Sequence, residues 1–176
     1  MDTSLQRRGF WLAATVLLIS ALWARVADQG SVFTPQGVEL KPTDSHYYTR
    51  FAQRQLDAFP RFEAFDPWVN FPTGARIIWP PVHTWLVSAS IALFGGGDPE
   101  RGAAWAGPVL SMIWLAIALA LIARGLGRPV ALGWLFLFGL VPVAVYSGSV
   151  GNADHHVHEP FIALAVSLLE IGRAHV

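Results

Sequence analysis

Apolar residues in this chain fall in long blocks separated by a polar, proline-rich stretch. Phe10 to Ala24 is largely apolar and free of charge, preceded by Arg7 and Arg8 and closed by Arg25, with the run extending through Val26 and Ala27. That is barely long enough to cross a bilayer. A basic start and a short apolar core also describe a cleaved signal peptide. Arg25 interrupts any small-residue cleavage site, however, and further apolar blocks follow, so a spanning helix is the expectation. Ala103 to Ala123 is a second spanning block, charge-free and followed by Arg124 and Arg128. Val130 to Ser147 is a third, with a bend expected at Pro142, and Phe161 to Leu169 opens a fourth. Pro81 to Phe94 is shorter than the roughly 20 residues a spanning helix needs and reads as an interfacial or buried helix.

Asp28 to Pro80 is polar, carries charges of both signs and is punctuated by Pro35, Pro42, Pro60, Pro67 and Pro72. It reads as a long folded loop. Within it, Ser45 to Phe59 lacks Pro and Gly and places Tyr48, Phe51, Ala52 and Leu56 near one side at helical spacing. A short amphipathic helix beginning just after Asp44 is predicted, with Asp44 at or near its N-terminus as a cap. If Arg7 and Arg8 are cytoplasmic and the Pro81 segment does not span, the next span delivers Arg124 and Arg128 to the cytoplasm, as the positive-inside bias requires. The loop around Asp44 and the loop Gly148 to Glu159 then share the extracytoplasmic side.

Composition sharpens this picture. The chain is 53% hydrophobic and only 14% charged, with eight Trp, against about 25% charged in a soluble domain. Disorder is excluded and a membrane protein favoured. Twelve basic residues balance twelve acidic ones, so general attraction to nucleic acid is absent and no nucleic-acid partner is expected. No Cys is present, which removes disulfides and thiolate metal sites.

The densest polar cluster is Asn152-Ala153-Asp154-His155-His156-Val157-His158-Glu159, set between two apolar blocks. Carboxylates and imidazoles together are a metal-ligand vocabulary, and polar groups beside membrane segments usually mark a site. In extended backbone, Asp154 and His156 face the same way while His155 points elsewhere; in a helix, Asp154 would pair with His158. Gly148 and Gly151 before the cluster and Pro160 after it favour a loop entering a helix, and hence the Asp154 and His156 pair. A metalloprotease H-E-x-x-H reading fails, because its second histidine would fall at Ile162. Asp44 sits among Ser45, His46, Tyr47, Tyr48, Thr49 and Arg50, a polar aromatic group on the same side as Asp154. His83 stands either where an imidazole meets a lipid phosphate or simply at a helix end.

The set Thr43-Asp44-Ser45-His46-Tyr47-Tyr48, Asp66-Pro67-Trp68, Trp79-Pro80-Pro81-Val82-His83 and Asp154-His155-His156 followed by Glu159, in this order behind a first spanning helix, resembles the catalytic subunit of N-oligosaccharyltransferases, especially the archaeal form. The resemblance runs from about Arg7 to Glu170 and covers the amino-terminal part of that family. It implies an all-α fold of the GT-C type: polytopic membrane helices with a long extracytoplasmic first loop containing short helices. It further implies that Asp44, Asp154 and His156 bind Mn²⁺ or Mg²⁺, that Asp44 is catalytic, and that His83 and His155 lie near the lipid-carrier phosphate. Pro42 stands where an earlier acid of the first motif could be, and the family's further carboxylate on a later outer loop has no counterpart in this chain.

The expected protein is therefore a multi-pass membrane enzyme of the cell membrane. It moves a glycan from a lipid-linked oligosaccharide donor to asparagine in N-x-Ser/Thr sequons of an acceptor protein, with membrane lipids as its surroundings. Residues 1–170 are expected to be the amino-terminal part of the transmembrane catalytic domain, inactive alone. Residues 171–176 match the translation of a common sequencing-adapter read-through and are expected to be a non-native tail. Two rivals are a polyprenyl-phosphate-sugar glycosyltransferase with a hydroxyl or lipid acceptor, and a metal-binding or transport membrane protein using the histidine cluster.

Overall fold

The computed structural model describes residues 3–41, 43–79 and 81–174. In chain order it comprises α1 (Thr3–Val26), α2 (Gln29–Val32), β1 (Phe33–Thr34), β2 (Gly37–Val38), α3 (Thr43–Ala58), β3 (Phe65–Asp66), β4 (Ala75–Arg76), α4 (Pro81–Phe94), α5 (Pro99–Ala104), α6 (Ala106–Gly125), α7 (Arg128–Leu140), α8 (Pro142–Ser147), a 3-10 turn (His155–His158) and α9 (Glu159–Ala174). The two short antiparallel hairpins pair Phe33 with Val38 and Phe65 with Arg76. The fold is otherwise helical, as the sequence pattern predicts. Pro42 of the first acidic motif, Pro80 of the Trp79–His83 element and His175 and Val176 of the expected tail lie outside the described residues, while 171–174 continue α9.

Two expected boundaries move and one holds. Helix α3 begins at Thr43, so Asp44 lies in its first turn, where a carboxylate meets the positive end of the helix dipole, and not outside the helix as a cap. The block expected from Ala103 divides into α5 and α6. Asp98 caps α5, its Oδ1 accepting from the amides of Glu100 (2.9 Å) and Arg101 (3.2 Å), and the break falls at Trp105. The third block splits at the expected place. Pro142 cannot donate and forces the preceding residue out of helical backbone, so Val141 adopts φ −63°, ψ 133° between α7 and α8.

The chain divides into two compact units. The first contains α1, most of α6, α7, α8, the 3-10 turn and α9; the second contains α2 to α5, both hairpins and the segment 150–154.

In the first unit, Phe10, Ala14 and Ala21 of α1 pack with Leu115, Ala118, Leu119 and Ile122 of α6 and with Ala131 and Leu135 of α7. The opposite side of α1 is apolar too, with Leu12, Val16, Ile19 and Trp23 all more than half exposed. A helix apolar all round fits lipid as its solvent. Among the described residues, the stretches Ser4–Val32 and Pro99–Gly125, 29 and 27 residues long, are long and apolar enough to cross a membrane, and α4 and α7 are shorter apolar helices. Arg25 is 2% exposed. Its Nη1 donates to the carbonyls of Ala21 (2.9 Å) and Gly139 (2.7 Å), and its Nη2 to those of Phe138 and Ala144 (3.3 Å each). The reason lies in the break: the amide that would serve Phe138 belongs to Pro142, which has none. Arg25 supplies donors where α7 lost them.

In the second unit, α3 packs on α4, and the Ser88 hydroxyl donates across that contact to the Ala52 carbonyl (2.9 Å). Gly102 allows α5 to close on α4, since a Cβ there would lie 2.4 Å from Cα of Ile91. The fully buried Asp66 anchors the loop. It takes Arg50 through both carboxylate oxygens (2.6 and 3.2 Å), Arg54 at 3.3 Å and the Trp68 amide at 2.9 Å, while Arg54 also pairs with Glu63. The Asp66-Pro67-Trp68 step is thus a structural lock that ties the hairpin β3–β4 to α3.

Replacing Arg25 by Met is expected to leave the Phe138 and Gly139 carbonyls without donors and to cost about 2 kcal/mol or more. Unfolding in mild detergent, followed by helix circular dichroism, measures this loss. Arg25→Lys should recover only part, because one ammonium cannot reproduce the guanidinium fork.

Candidate functional site

The segment leading to the acidic cluster runs through the interior of the second unit. Gly151 has φ +86°, a left-handed conformation that disfavours a side chain, and a Cβ there would stand 2.8 Å from Cγ2 of Val32. Its amide donates to the Ala104 carbonyl of α5 and its own carbonyl accepts from the Lys41 amide, both at 2.9 Å. Two residues on, the Ala153 amide donates to Oγ of Ser45 in α3 (2.9 Å), and the Ala153 carbonyl accepts from Nε2 of His83 in α4 (2.9 Å). Ser45, His83 and Ala153 are all buried. Asn152 Oδ1 accepts the Asp154 amide at 2.9 Å, closing the local turn that presents Asp154.

Beyond Asp154 the chain tightens into the 3-10 turn. Asp154, His155 and His156, three consecutive residues, offer one ligand atom each within 4.8 Å of one another. The His155 ring lies close to the other two. The 3-10 turn ahead of α9 takes the place here of the extended backbone, with its alternation of faces, that the sequence suggested. Nδ1 of His156 lies 2.6 Å from Oε1 of Glu159. An Nδ1–H donating to this carboxylate makes Nε2 the nitrogen with a lone pair, the arrangement common behind metal-ligating histidines. His158 is drawn away from the group. Its Nδ1 accepts from the indole N–H of Trp114 (2.9 Å), and burial, then the charge of His155, holds its pKa below the usual histidine value. A buried carboxylate with two imidazoles is a donor set that fits a divalent ion.

Asp44 is exposed and is not among these clustered ligand atoms. With Tyr47, Asn70, Arg76 and Trp79 it lines a hollow of about 330 Å³. It meets Asp154 electrostatically at Tyr48. That buried phenol has its pKa raised by burial first, and then by the charges of Asp154, Tyr47 and Asp44. His83 stands edge-on to Tyr48, with ring centroids 4.6 Å apart. Sequence reasoning named Ser45 and Asn152 only as members of polar clusters and did not single out Trp114, because residue type gives no sign of which main-chain or ring atom a serine, asparagine or tryptophan will reach.

No family model matches the chain. It is 28% identical over 155 residues to dolichyl-phosphooligosaccharide-protein glycotransferase 1 of Archaeoglobus fulgidus, and 27% identical over 162 residues to glycotransferase 2 of the same organism, matches that cover 87% and 91% of this chain. A dolichyl-monophosphooligosaccharide–protein glycotransferase AglB of Haloferax volcanii is 27% identical over 157 residues, covering 84%. The chain is homologous to the archaeal oligosaccharyltransferases. It spans 26%, 27% and 15% of these three relatives. The crystal structure of the apo Archaeoglobus fulgidus oligosaccharyltransferase shares its fold, with a TM-score of 0.79 at 22% identity over 91% of this chain and 19% of that one.

In this oligosaccharyltransferase homologue the joint action of Asp44 and Asp154 on one phenol can be read directly. The Tyr48 pKa is raised above its ordinary value of 10.0. Its neutral form therefore stabilises the fold below about pH 10, and that contribution is lost as pH rises through the folded value. In an alkaline titration followed by tyrosinate absorbance, with Tyr48→Phe identifying the signal, Asp154→Asn should lower the ionisation pH of Tyr48, and Asp44→Asn should lower it less. A titration indifferent to both changes would separate the carboxylates from Tyr48.

Proposed function

We propose that the protein to which this chain belongs transfers a glycan from a polyprenyl phosphate or pyrophosphate carrier to asparagine in N-x-Ser/Thr sequons, as a multi-pass membrane protein with Asp44 and Asp154 on the extracytoplasmic side. The observation that carries the reading is the Asp154, His155 and His156 group in a chain homologous to oligosaccharyltransferases. The α1 and α6 stretches supply membrane anchorage, and α7 with α8 a further crossing.

Asparagine is a poor nucleophile because its nitrogen lone pair is delocalised into the carbonyl, the same resonance that sets the ~18–20 kcal/mol barrier to amide rotation. In this reading Asp44 accepts hydrogen bonds from the acceptor amide and weakens that delocalisation, a role supported by its exposure in the first turn of α3 beside a hollow. Asp154 and His156, completed by Asp44, are the residues that would hold Mn²⁺ or Mg²⁺. Carboxylate mixed with imidazole suits Mn²⁺ somewhat better. When bound, such an ion supplies Lewis-acid stabilisation of negative charge on the departing phosphate. His155, half-buried beside His156 with ring centroids 4.4 Å apart, serves the donor side, where an imidazole donates to phosphate oxygen. His83 serves the donor side from its place behind Ala153.

The test is transfer of a labelled sequon peptide in membranes carrying lipid-linked glycan, by the longer protein that contains this chain. Transfer should stop on chelation and resume with Mn²⁺. Asp44→Asn and His156→Ala should each lower it on the order of 100-fold with insertion unchanged. Transfer to hydroxyl acceptors in preference to the sequon would replace this reading with a hydroxyl-directed glycosyltransferase. The 176-residue chain alone should give none, since the further carboxylate implied by the resemblance is not in it.

A further inference from the structure

We propose that Ser45 and His83 are positioning residues that set the place of the Asp154 carboxylate relative to the Asp44 helix by gripping both main-chain polar groups of Ala153. The proposal rests on the reading of Asp44 and Asp154 as parts of one centre. Ser45 follows Asp44 in the chain, and Ala153 precedes Asp154. The 2.9 Å bond from the Ala153 amide to Ser45 Oγ thus joins residues that are each covalently next to a proposed ligand. The other half of the grip comes from a different helix, His83 Nε2 donating to the Ala153 carbonyl at 2.9 Å. Because a carbonyl can only accept, Nε2 must carry the proton, and the ring is braced edge-on by Tyr48.

Exposure of Ser45 is 0%, of Ala153 1% and of His83 6%, so in the intact chain these side chains, and not solvent, satisfy the two Ala153 groups. Upstream, Gly151 is already pinned to Ala104 and Lys41. With Gly151 and Ala153 both fixed, Asp154 is the first residue whose direction is set by the grip. His83 thus also holds the acidic loop in place through Ala153, in addition to its proposed place on the donor side.

The experiment combines two readouts. Amide exchange at Ala153, in the chain in detergent, reports the grip itself. The Mn²⁺ concentration giving half-maximal transfer, in the longer protein, reports its consequence. Ser45→Ala and His83→Ala should each speed Ala153 exchange about tenfold or more. Each should also raise the required Mn²⁺ about tenfold and leave the peptide KM unchanged. His83→Gln, whose amide can still donate to the Ala153 carbonyl, should restore both. Unchanged exchange in the two alanine variants overturns the proposal, as does faster exchange with an unaltered Mn²⁺ requirement. If the unmodified protein transfers nothing, the functional reading fails, and exchange at Ala153 with its recovery in His83→Gln decides the positioning on its own.

Discussion

The segment 150–154 runs through the interior of its unit, and every buried main-chain polar group along it must be satisfied there, because an orphaned donor or acceptor costs more than a typical hydrogen bond returns. The partners come from different elements: Ala104 at the end of α5, Lys41 ahead of α3, Ser45 within α3 and His83 within α4. Satisfying one strand of backbone thereby fixes these elements around it and presents Asp154 at its end. The acidic residue owes its position to the demands of the peptide groups before it, and the chemistry proposed for it depends on that constraint.

The same demand shapes the other unit. Pro142 breaks the helix between α7 and α8 and leaves carbonyls with no amide in reach, in surroundings whose exposed faces are apolar. Arg25 answers with four hydrogen bonds to main-chain carbonyls. A cation in a helix long and apolar enough to cross a membrane is costly in lipid, and the usual reason for keeping one is function or pairing. Here the guanidinium completes a backbone ladder that proline interrupted, and so fixes the bend between α7 and α8.

Much of this architecture was legible in the sequence. The apolar blocks, the short helix from Pro81 and the bend at Pro142 follow from hydrophobic length and from proline's missing donor. The all-α class holds apart from two hairpins, each with two-residue strands too short to show a period. The acidic motifs were visible as residue types. Their geometry was not: the closeness of the His155 ring to Asp154 and His156 comes with a 3-10 turn, and His158 is bonded to Trp114, far away in sequence. Arg25 read as the end of an apolar run, and nothing in the linear pattern pointed to the carbonyls of Phe138 and Gly139. Long-range polar pairing has no period, so it leaves no pattern in the chain.

The proposed chemistry requires Asp44 and Asp154 to act on one ion, although only Asp154 belongs to the clustered group. A double-mutant cycle on Mn²⁺ binding, read by the loss of the free-ion electron paramagnetic resonance signal, tests this directly. If both hold one ion, Asp44→Asn and Asp154→Asn each weaken binding, and the double variant binds little worse than Asp154→Asn alone, since ligands to one ion are strongly coupled. Binding undiminished by Asp44→Asn, or two losses that simply add, would contradict it.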